Sequence, residues 1–426
     1  NAAKFAACCG GLTNALTKSG QLDLLYNIEV PLARVLSLME TRGFLVDCEG
    51  LKEYSAKLNE QIKEITAEIY SMAGEEFNIN SPKQLGQILF VKLGLPAKKK
   101  TKSGFSTSAD VLEDLRYDYP IVDMILQYRQ LAKLKSTYCD GLLSAVAEDG
   151  RIHSTFNQTE ARTGRISSLE PNLQNIPVKT EEGKVLRGFF KAPDGSVLCD
   201  ADYSQIELRV LASMANDPVM IDAFKSDTDI HTVTASQVFN IPIDMVLPVM
   251  RSRAKAVNFG IVYGIGAFSL SKDIGLSRKE ADTYIKNYLE TYKGIASYME
   301  NTINQAKADG YVSTLFGRRR YLPELSASNG MLRAFGERVA RNAPIQGTAA
   351  DIIKIAMIRV NDRLEKEIPD AKLILQVHDE LIVECKQEDS FAVCKILEEE
   401  MKSAAKLAVE LKVDAHSGKT WLEAKD

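Results

Sequence analysis

Apolar residues recur every three or four positions along much of this chain, and this spacing predicts long helices. Residues 23–46 form the first such stretch, with Gly43 as the residue that ends the helix. Residues 51–74 and 119–146 predict two further long helices that form an antiparallel hairpin. Between them lies a loop rich in Gly, Ser and Thr that carries a cluster of lysines. This cluster is either a solvated loop or a mobile contact for phosphate groups.

Short aliphatic runs later in the chain predict strands. In residues 195–203 the alternation of a strand places Leu198, Asp200 and Asp202 on one face, and a helix is expected to start at Ser204. Residues 373–385 predict a β-hairpin with a polar tip. Helical patterns also cover residues 204–217, 216–310, 329–368 and 389–411. Together these patterns indicate an α+β fold.

Composition narrows the class of protein. The chain has 426 residues, of which 45% are hydrophobic, so it can bury a sizeable core. No apolar run approaches the roughly 20 residues of a membrane span, and no membrane partner is expected. With 53 Lys and Arg against 57 Asp and Glu, the net charge is −4, so nucleic-acid contacts would come from local patches. The seven cysteines lack Cys-x-x-Cys spacing, which indicates reduced thiols in a cytoplasm-like compartment.

Two aspartates far apart in sequence lie at the ends of predicted strands. Asp202 ends the run GSVLCDADY, and Asp379 lies at the tip of the hairpin LILQVHDELIVEC. Two carboxylates brought together repel each other unless a cation lies between them, and a hard divalent ion suits oxygen ligands. A pair of Mg²⁺ ions about 4 Å apart is a known device for phosphoryl transfer. The alternative is that Asp379 and Glu380 are ordinary polar turn residues.

A candidate phosphate-binding face lies in RSRAKAVNFGIVYG, residues 251–264. Its residues Arg251, Lys255, Phe259 and Tyr263 recur at every fourth position and therefore share one helix face. Two cations followed by two aromatic rings suit a nucleoside triphosphate. The sequence has no GxxxxGK[ST] loop, so side chains rather than backbone amides would hold the phosphates. For an isolated pair of cations, a solvated helix face would be the alternative.

The segments DADYSQIELR, RSRAKAVNFGIVYG and QVHDEL, in this order, resemble the three signature motifs of family A DNA polymerases of the bacterial DNA polymerase I type. TGRISSLEPNLQNIP and APIQGTAADIIK match further segments, and the similarity runs from about residue 22 to the C-terminus. The resemblance implies a right-hand polymerase fold with an antiparallel β palm and a helical thumb and fingers. The implied division is an exonuclease-like remnant or linker at 1–22, thumb at 23–148, palm at 149–220, fingers at 221–335 and palm again at 336–426.

The resemblance also implies the catalytic residues. Asp202 and Asp379 would ligate two Mg²⁺ ions, for which Mn²⁺ could substitute, and the backbone carbonyl of Tyr203 would assist one ion. Because neighbouring strand residues point to opposite sides, Glu380 is expected to play a supporting catalytic role rather than that of an equal ligand. Lys255 would bind the incoming phosphates and act as general acid for the pyrophosphate leaving group.

Further nucleotide contacts follow from the same match. Arg251 would hold the γ-phosphate, and His231 and Gln205 match positions in the nucleotide site. Glu207 would be the steric gate that occupies the space of a ribose 2′-hydroxyl, although Ser204-x-x-Glu207 also fits a helix capping box. Phe259, where some members have Tyr, implies discrimination against dideoxynucleotides. Tyr263 would stack near the templating base and close the pocket.

A polymerase must bind every sequence, which leaves the phosphates and the minor-groove acceptors as its contacts. The matched positions that would contact primer, template or minor groove are Arg165, Gln174, Asn175, Arg338, Asn342, Gln346 and His378. Three of them, Arg338, Asn342 and Gln346, are spaced by four residues and so share a helix face. Lys98, Lys99 and Lys100 would contact phosphates at the tip of the thumb.

The function implied is template-directed addition of deoxynucleotides to a primer 3′ end with release of pyrophosphate. The implied partners are primer-template DNA and dNTPs, with the protein a monomer at the nucleoid in a bacterial cytoplasm. No proofreading is expected of this chain, because Phe5 lies where an active exonuclease needs an aspartate. One alternative is a single-subunit RNA polymerase, which Glu207 and Phe259 disfavour. The other is an inactive DNA-binding scaffold, which has no need for carboxylates that repel each other.

Overall fold

The structure is a computed structural model that describes residues 2–97, 100–101, 104–177, 180–226 and 228–425. In the first half of the chain the helices are α1 Ala2–Lys18, α2 Leu22–Leu24, α3 Val30–Arg42, α4 Cys48–Ala73, α5 Pro82–Gly86, α6 Ala109–Glu113, α7 Pro120–Lys133, α8 Gly141–Ala145 and α9 Glu181–Arg187. The second half has α10 Ile206–Ala215, α11 Pro218–Lys225, α12 Ile230–Phe239, α13 Pro248–Val262, α14 Ala267–Asp273, α15 Arg278–Thr291, α16 Lys293–Asp309, α17 Gly330–Glu367, α18 Ser390–Ser403 and α19 Trp421–Lys425.

The strands are β1 Phe44–Leu45, β2 Lys100–Thr101, β3 Gly104–Phe105, β4 Arg151–Ile152, β5 Thr155–Asn157, β6 Ser167–Leu169, β7 Ser196–Tyr203, β8 Tyr311–Ser313, β9 Arg319–Tyr321, β10 Lys372–Val377, β11 Glu380–Lys386 and β12 Val413–Gly418. Wider π-helical turns span Leu25–Glu29, Gln87–Lys92 and Leu134–Asp140. Short 3₁₀ turns span Leu173–Asn175, Ile243–Met245, Pro323–Ser326 and Gln387–Asp389.

The central sheet has the strand order β10–β11–β7–β12, with every neighbouring pair antiparallel. Apolar side chains of β7, β10 and β11 are buried beneath α17 and α18, and each buried aliphatic side chain contributes roughly 1.5–3 kcal/mol. The register pairs Asp202 with Glu380 on one side and with Asp414 on the other. Because this register places carboxylates side by side at one end of the sheet, the sheet concentrates negative charge there.

Most of the predicted elements are confirmed. Helices α4 and α7 pack against each other, as predicted for the hairpin. The second predicted helix is interrupted by the π turn at residues 134–140. The first predicted helix ends at Arg42, where Gly43 adopts φ +61°, and a short strand follows. The predicted strand ending at Asp202 and the hairpin around Asp379 are also present.

The prediction for the C-terminal region was wrong. Helix α18 ends at Ser403 rather than continuing to residue 411, and the strand β12 and the helix α19 follow it. The edge strand β12 has the sequence VDAHSG, which contains no run of aliphatic residues, and Val413 is its one buried residue. Its strand conformation comes from pairing with β7 rather than from its own pattern.

Helix α17, with 38 residues the longest helix in the described part of the chain, packs against β10 of the central sheet. A buried ion network holds α17 to the N-terminal helical region: Lys354 Nζ lies 2.8 Å from Glu29 Oε1, and Arg318 Nε lies 2.7 Å from Asp351 Oδ1. Arg318 also forms an ion pair with Glu29. Lys354 and Asp351 are fully buried, so each charge depends on its partners.

The predicted phosphate contact at residues 98–100 is not tested by the structure. Lys98 and Lys99 lie outside the described residues, and for Lys100 only the backbone is described. In the described part of the chain, no helix is both long enough and apolar enough to cross a membrane.

Candidate active site

A cavity of about 860 Å³ opens where β7 ends and the β10–β11 hairpin turns. It brings together ten residues predicted from the sequence, namely Arg165, Asp202, Tyr203, Gln205, Glu207, Phe259, Tyr263, His378, Asp379 and Glu380. It is also lined by residues that the sequence did not single out, among them Glu181, Lys184, Arg187, Leu422 and Lys425. The cavity therefore brings together sequence segments that lie as far apart in the chain as Arg165 and Lys425.

The hairpin tip is fixed next to the end of β7. The backbone N–H of Tyr203 donates to the carbonyl oxygen of Asp379 over 3.1 Å. Burial, and after it the charge of Glu207, raise the pKa of Asp379 to about 7, and Asp202 adds to this rise while Arg165 opposes it. Burial is therefore the main reason why the ionised form of Asp379 is disfavoured, and the nearby carboxylates add to it.

His378 has a left-handed backbone conformation with φ +54°, which is uncommon outside glycine and marks a constrained turn. Gln376 Nε2 donates to the His378 carbonyl over 2.6 Å, and Gln174 Nε2 donates to Gln376 Oε1 over 3.2 Å. Gln174, predicted as a DNA contact, thus supports the hairpin through Gln376, a residue that the sequence analysis missed. Its place one residue before Val377 in QVHDEL was the available signal.

Glu207 does not form the capping box that Ser204 and Glu207 suggested. The residue that caps α10 is Gln205, which has φ +55° and makes no side-chain cap. Glu207 Oε1 instead accepts from Arg165 Nη2 over 2.7 Å, and Tyr263 also hydrogen-bonds the Glu207 carboxyl group. Burial raises the pKa of Glu207. Because this partner is 42 residues away, a local spacing rule could not find it.

Gly164 precedes Arg165 and has φ +82°. A Cβ at this position would lie 2.6 Å from Cδ of Arg318, so only glycine fits against that side chain. The buried ion network of Arg318 therefore supports the loop that delivers Arg165 to Glu207.

Helix α13 carries the predicted triphosphate face, with Arg251 and Lys255 exposed and Phe259 on the cavity wall. Arg251 Nε donates to Asp229 Oδ2 over 2.8 Å, and hydrogen bonds from Arg251 and Thr232 lower the pKa of Asp229 to about 2 against the opposing effect of its burial. Arg251 and Lys255 do not line the cavity itself.

His231 lies behind Phe259, with ring centroids 5.8 Å apart. It is 2% exposed, and its Nδ1 is 3.0 Å from Asn258 Nδ2. Burial lowers the pKa of His231 to about 4, so the ring is neutral near pH 7. In this structure His231 therefore supports the aromatic wall and does not reach the cavity.

The predicted minor-groove residues lie along α17. Arg338 and Asn342 are accessible, whereas Gln346 is buried. At the end of α13, Gly264 packs close to Arg338, where a Cβ would lie 3.4 Å from the Arg338 Cα. Asn175 is exposed, and its carbonyl accepts from the Tyr138 hydroxyl over 2.7 Å. None of these four residues lines the cavity.

Glu380 is buried, and both oxygens of its carboxylate have hydrogen-bond donors in α19. Its carboxylate accepts from Trp421 Nε1 over 2.6 Å and from Lys425 Nζ over 2.9 Å, and Arg187 Nη1 lies 3.5 Å away. Burial, and then the charge of Glu380, raise the pKa of its neighbour Asp200 to about 9. Sequence reasoning missed Arg187, Trp421 and Lys425, because no motif spacing links them to Glu380.

Within the described ranges, no group of three or more His, Cys, Asp or Glu residues is arranged to hold a metal ion. Among the residues that line the cavity, Asp202 and Asp379 carry carboxylates and Tyr203 carries a backbone carbonyl that could contribute oxygen ligands. These are hard ligands of the kind that Mg²⁺ prefers.

Comparison with known proteins identifies the family. The profile described as DNA polymerase family A matches residues 48–423. The chain therefore belongs to DNA polymerase family A, and its α+β architecture is that family's right-hand fold.

Individual relatives are close. The chain is 52% identical over 413 residues to DNA polymerase I of Bacillus caldotenax, which covers 96% of the chain and 47% of that protein. It is 51% identical over 416 residues to DNA polymerase I of Bacillus subtilis, covering 97% of the chain and 47% of that protein. The chain thus spans about half the length of these relatives.

A solved structure is also similar. The POL domain of Pol1 from M. smegmatis, in complex with DNA primer-template and dNTP, superimposes with a TM-score of 0.93 at 42% identity. The match covers 97% of this chain and 74% of that one. At this identity and coverage the similarity extends to the whole described fold.

Proposed function

We propose that this protein is a template-directed DNA polymerase that adds deoxynucleotides to a primer 3′ end and releases pyrophosphate. The observation that carries the proposal is the convergence of Asp202, Asp379 and Glu207 in one cavity beside Phe259 and Tyr263 of the α13 segment. Carboxylates next to a cationic and aromatic helix suit a metal-bound triphosphate. The M. smegmatis relative, bound to primer-template and dNTP, supports the same substrates here.

Asp202 and Asp379, with the Tyr203 carbonyl, are proposed to hold two Mg²⁺ ions, with Mn²⁺ as a substitute. The grouping of Asp202 and Asp379 in one cavity supports this fit, because a divalent cation would offset the repulsion between their carboxylates. When bound, the two ions would stabilise the negative charge on the attacking and leaving oxygens of the transfer reaction. Glu380 is proposed to support Asp202 from the neighbouring strand rather than to bind the ions equally.

The nucleotide roles follow from the arrangement on α13. Lys255 is proposed to donate a proton to the leaving pyrophosphate. Arg251 is proposed to release Asp229 and bind the γ-phosphate instead. Because the Arg251–Asp229 pair is half-exposed, this exchange costs little. Glu207 is proposed as the steric gate, and Tyr263 and Phe259 as the wall against which the base and sugar pack.

The DNA is proposed to lie along the side chains that flank the cavity. His378 is proposed to contact the primer terminus, and its position next to Asp379 at the hairpin tip supports this proposal. The remaining proposed contacts are Arg165, Gln174, Asn175, Arg338, Asn342, Gln346 and the Lys98–Lys100 tip. Gln346 is buried, so its proposed contact with the minor groove would involve only its small exposed fraction.

The proposed subdomains are the thumb at 23–148, the palm at 149–220 and 336–426, and the fingers at 221–335. The central sheet belongs to the proposed palm, and α13 belongs to the proposed fingers. We further propose that the protein acts as a monomer at the nucleoid of a bacterial cytoplasm, in keeping with its bacterial relatives.

Primer extension on a recessed duplex with Mg²⁺ tests the proposal, with dNTPs or rNTPs supplied to the wild type, Asp379→Ala and the control Asp370→Ala. Asp370 is an exposed carboxylate beside the base of the same hairpin. We expect extension with dNTPs only, lost in Asp379→Ala and retained in Asp370→Ala. Extension with rNTPs would indicate an RNA polymerase, and DNA binding without extension would indicate a scaffold.

A further inference from the structure

The C-terminal helix α19 contacts the catalytic end of the sheet through two side chains. Trp421 is fully buried, and its indole N–H donates to Glu380 Oε1 over 2.6 Å. The guanidinium of Arg187 lies 4.0 Å from the centre of the indole ring and so packs against a face of the ring. Because Trp421 is held at its edge by Glu380 and on one face by Arg187, α19 has a fixed position relative to β7 and β11.

This position brings Lys425 into the cavity. Its Nζ lies 2.9 Å from Asp202 Oδ2 and 2.9 Å from Glu380 Oε2, so one ammonium group bridges both carboxylates. The side chain is 32% exposed, which leaves it open to the cavity, where ions from solvent can reach it. Asp202 and Glu380 are directly paired across β7 and β11, and without a cation between them they would repel each other.

We propose that Lys425 is a positioning residue of the catalytic centre, whose ammonium group fixes Asp202 against Glu380 and competes with divalent cations for Asp202 Oδ2. The proposal rests on the proposed function, in which Asp202 is a metal ligand. It adds to that function a positive charge of the protein itself, the Lys425 ammonium group, next to the metal ligand Asp202. Lys425 keeps the two carboxylates in place before metal binds and weakens metal binding by its charge.

The two effects of Lys425 predict opposite changes in two measurements. Removing the positive charge lowers the repulsion of an incoming cation, so metal affinity should rise. Removing the bridge leaves Asp202 free to rotate, so turnover with saturating metal should fall. A residue that only stabilised the fold would lower both.

The first test is Mn²⁺ binding to the full chain without DNA or nucleotide, measured by electron paramagnetic resonance of free Mn²⁺. For Lys425→Gln we expect affinity about three- to tenfold tighter than wild type. Lys425→Arg, which keeps the charge, should stay within about twofold of wild type. The matched control is Lys419→Gln, which removes the same charge at an exposed position six residues earlier, 425 − 419, and should leave the affinity unchanged.

Adding Asp202→Asn to Lys425→Gln should abolish the gain in affinity, which assigns the gain to this site. If Lys425→Gln does not fold, Lys425→Met keeps the aliphatic length and takes its place. Equal Mn²⁺ affinity in the folded variant and the wild type would overturn the proposal, and so would an equal gain in Lys419→Gln. Wild-type primer extension is scored separately, so that failure of the polymerase proposal is distinguished from failure of this one.

Discussion

Arg165 Nη2 lies 2.7 Å from Glu207 Oε1, so a loop residue fixes the carboxylate that faces the cavity at the start of α10. The carboxyl group of Glu207 also hydrogen-bonds Tyr263 at the end of α13. The three side chains connect the loop before β6, the helix after β7 and the candidate nucleotide helix. Glu207 therefore has a fixed position and volume in the cavity.

Glu207→Ala should weaken sugar discrimination, because it removes the volume that would clash with a ribose 2′-hydroxyl. We expect the ratio of rNTP to dNTP incorporation to rise roughly a hundredfold or more. Single-nucleotide insertion kinetics measure this ratio. Glu207→Gln is the matched control, since it keeps the volume and removes only the charge. Equal ratios in Glu207→Ala and the wild type would show that Glu207 is not the gate.

Lys255→Ala should slow nucleotide insertion without weakening DNA binding. A general acid contributes about 100-fold or more to the rate, so kcat/KM for the dNTP should fall by at least about that factor. Arg253→Ala is the control on the same helix, because Arg253 faces Tyr284 instead of the candidate phosphate face. A comparable loss in both variants would argue for general damage to α13. The DNA Kd, measured by fluorescence anisotropy, should be the same in all three proteins.

His231 should make the stability of the protein depend on pH. Its pKa is about 4 in the folded protein against 6.5 for an exposed histidine, so the unfolded chain binds a proton that the folded protein does not. The free energy of unfolding should therefore fall as the pH falls from about 6.5 towards 4, by about 2 kcal/mol between pH 7 and pH 5.

Urea unfolding at pH 7 and pH 5 measures this effect. His231→Gln should lose about 2 kcal/mol of the difference between the two pH values, whereas His416→Gln, at an exposed position, should keep it. A pH difference unchanged in His231→Gln would mean that other groups cause it.

Lys354→Met should strongly destabilise the fold, because it leaves the carboxylate of Glu29 with Arg318 as its remaining cation in a partly buried site. Breaking a buried ion pair in this way costs about 3 kcal/mol. The free energy of urea unfolding measures the loss, with Lys395→Met as the exposed control that should change it by less than about 0.5 kcal/mol. A loss below about 1 kcal/mol would show that Arg318 alone satisfies Glu29.

Local patterns predicted the parts of the site that lie on single elements. The short aliphatic runs before Asp202 and on both sides of Asp379 predict strands, and the four-residue spacing of Arg251, Lys255 and Phe259 predicts a helix face. These features depend on contacts within a few residues, so a sequence displays them directly.

The sequence by itself determined that two carboxylates lie at the ends of predicted strands and that a helix face carries two cations and two aromatic rings. Only the tertiary structure decided which cation each carboxylate meets. Glu207 pairs with Arg165, 42 positions away, and Asp202 pairs with Lys425, 223 positions away. The edge strand β12 and the helix α19 were missed for the same reason. Strand pairing and buried charges are stabilised by groups distant in the chain, and hydrophobic periodicity carries no information about which distant groups will meet.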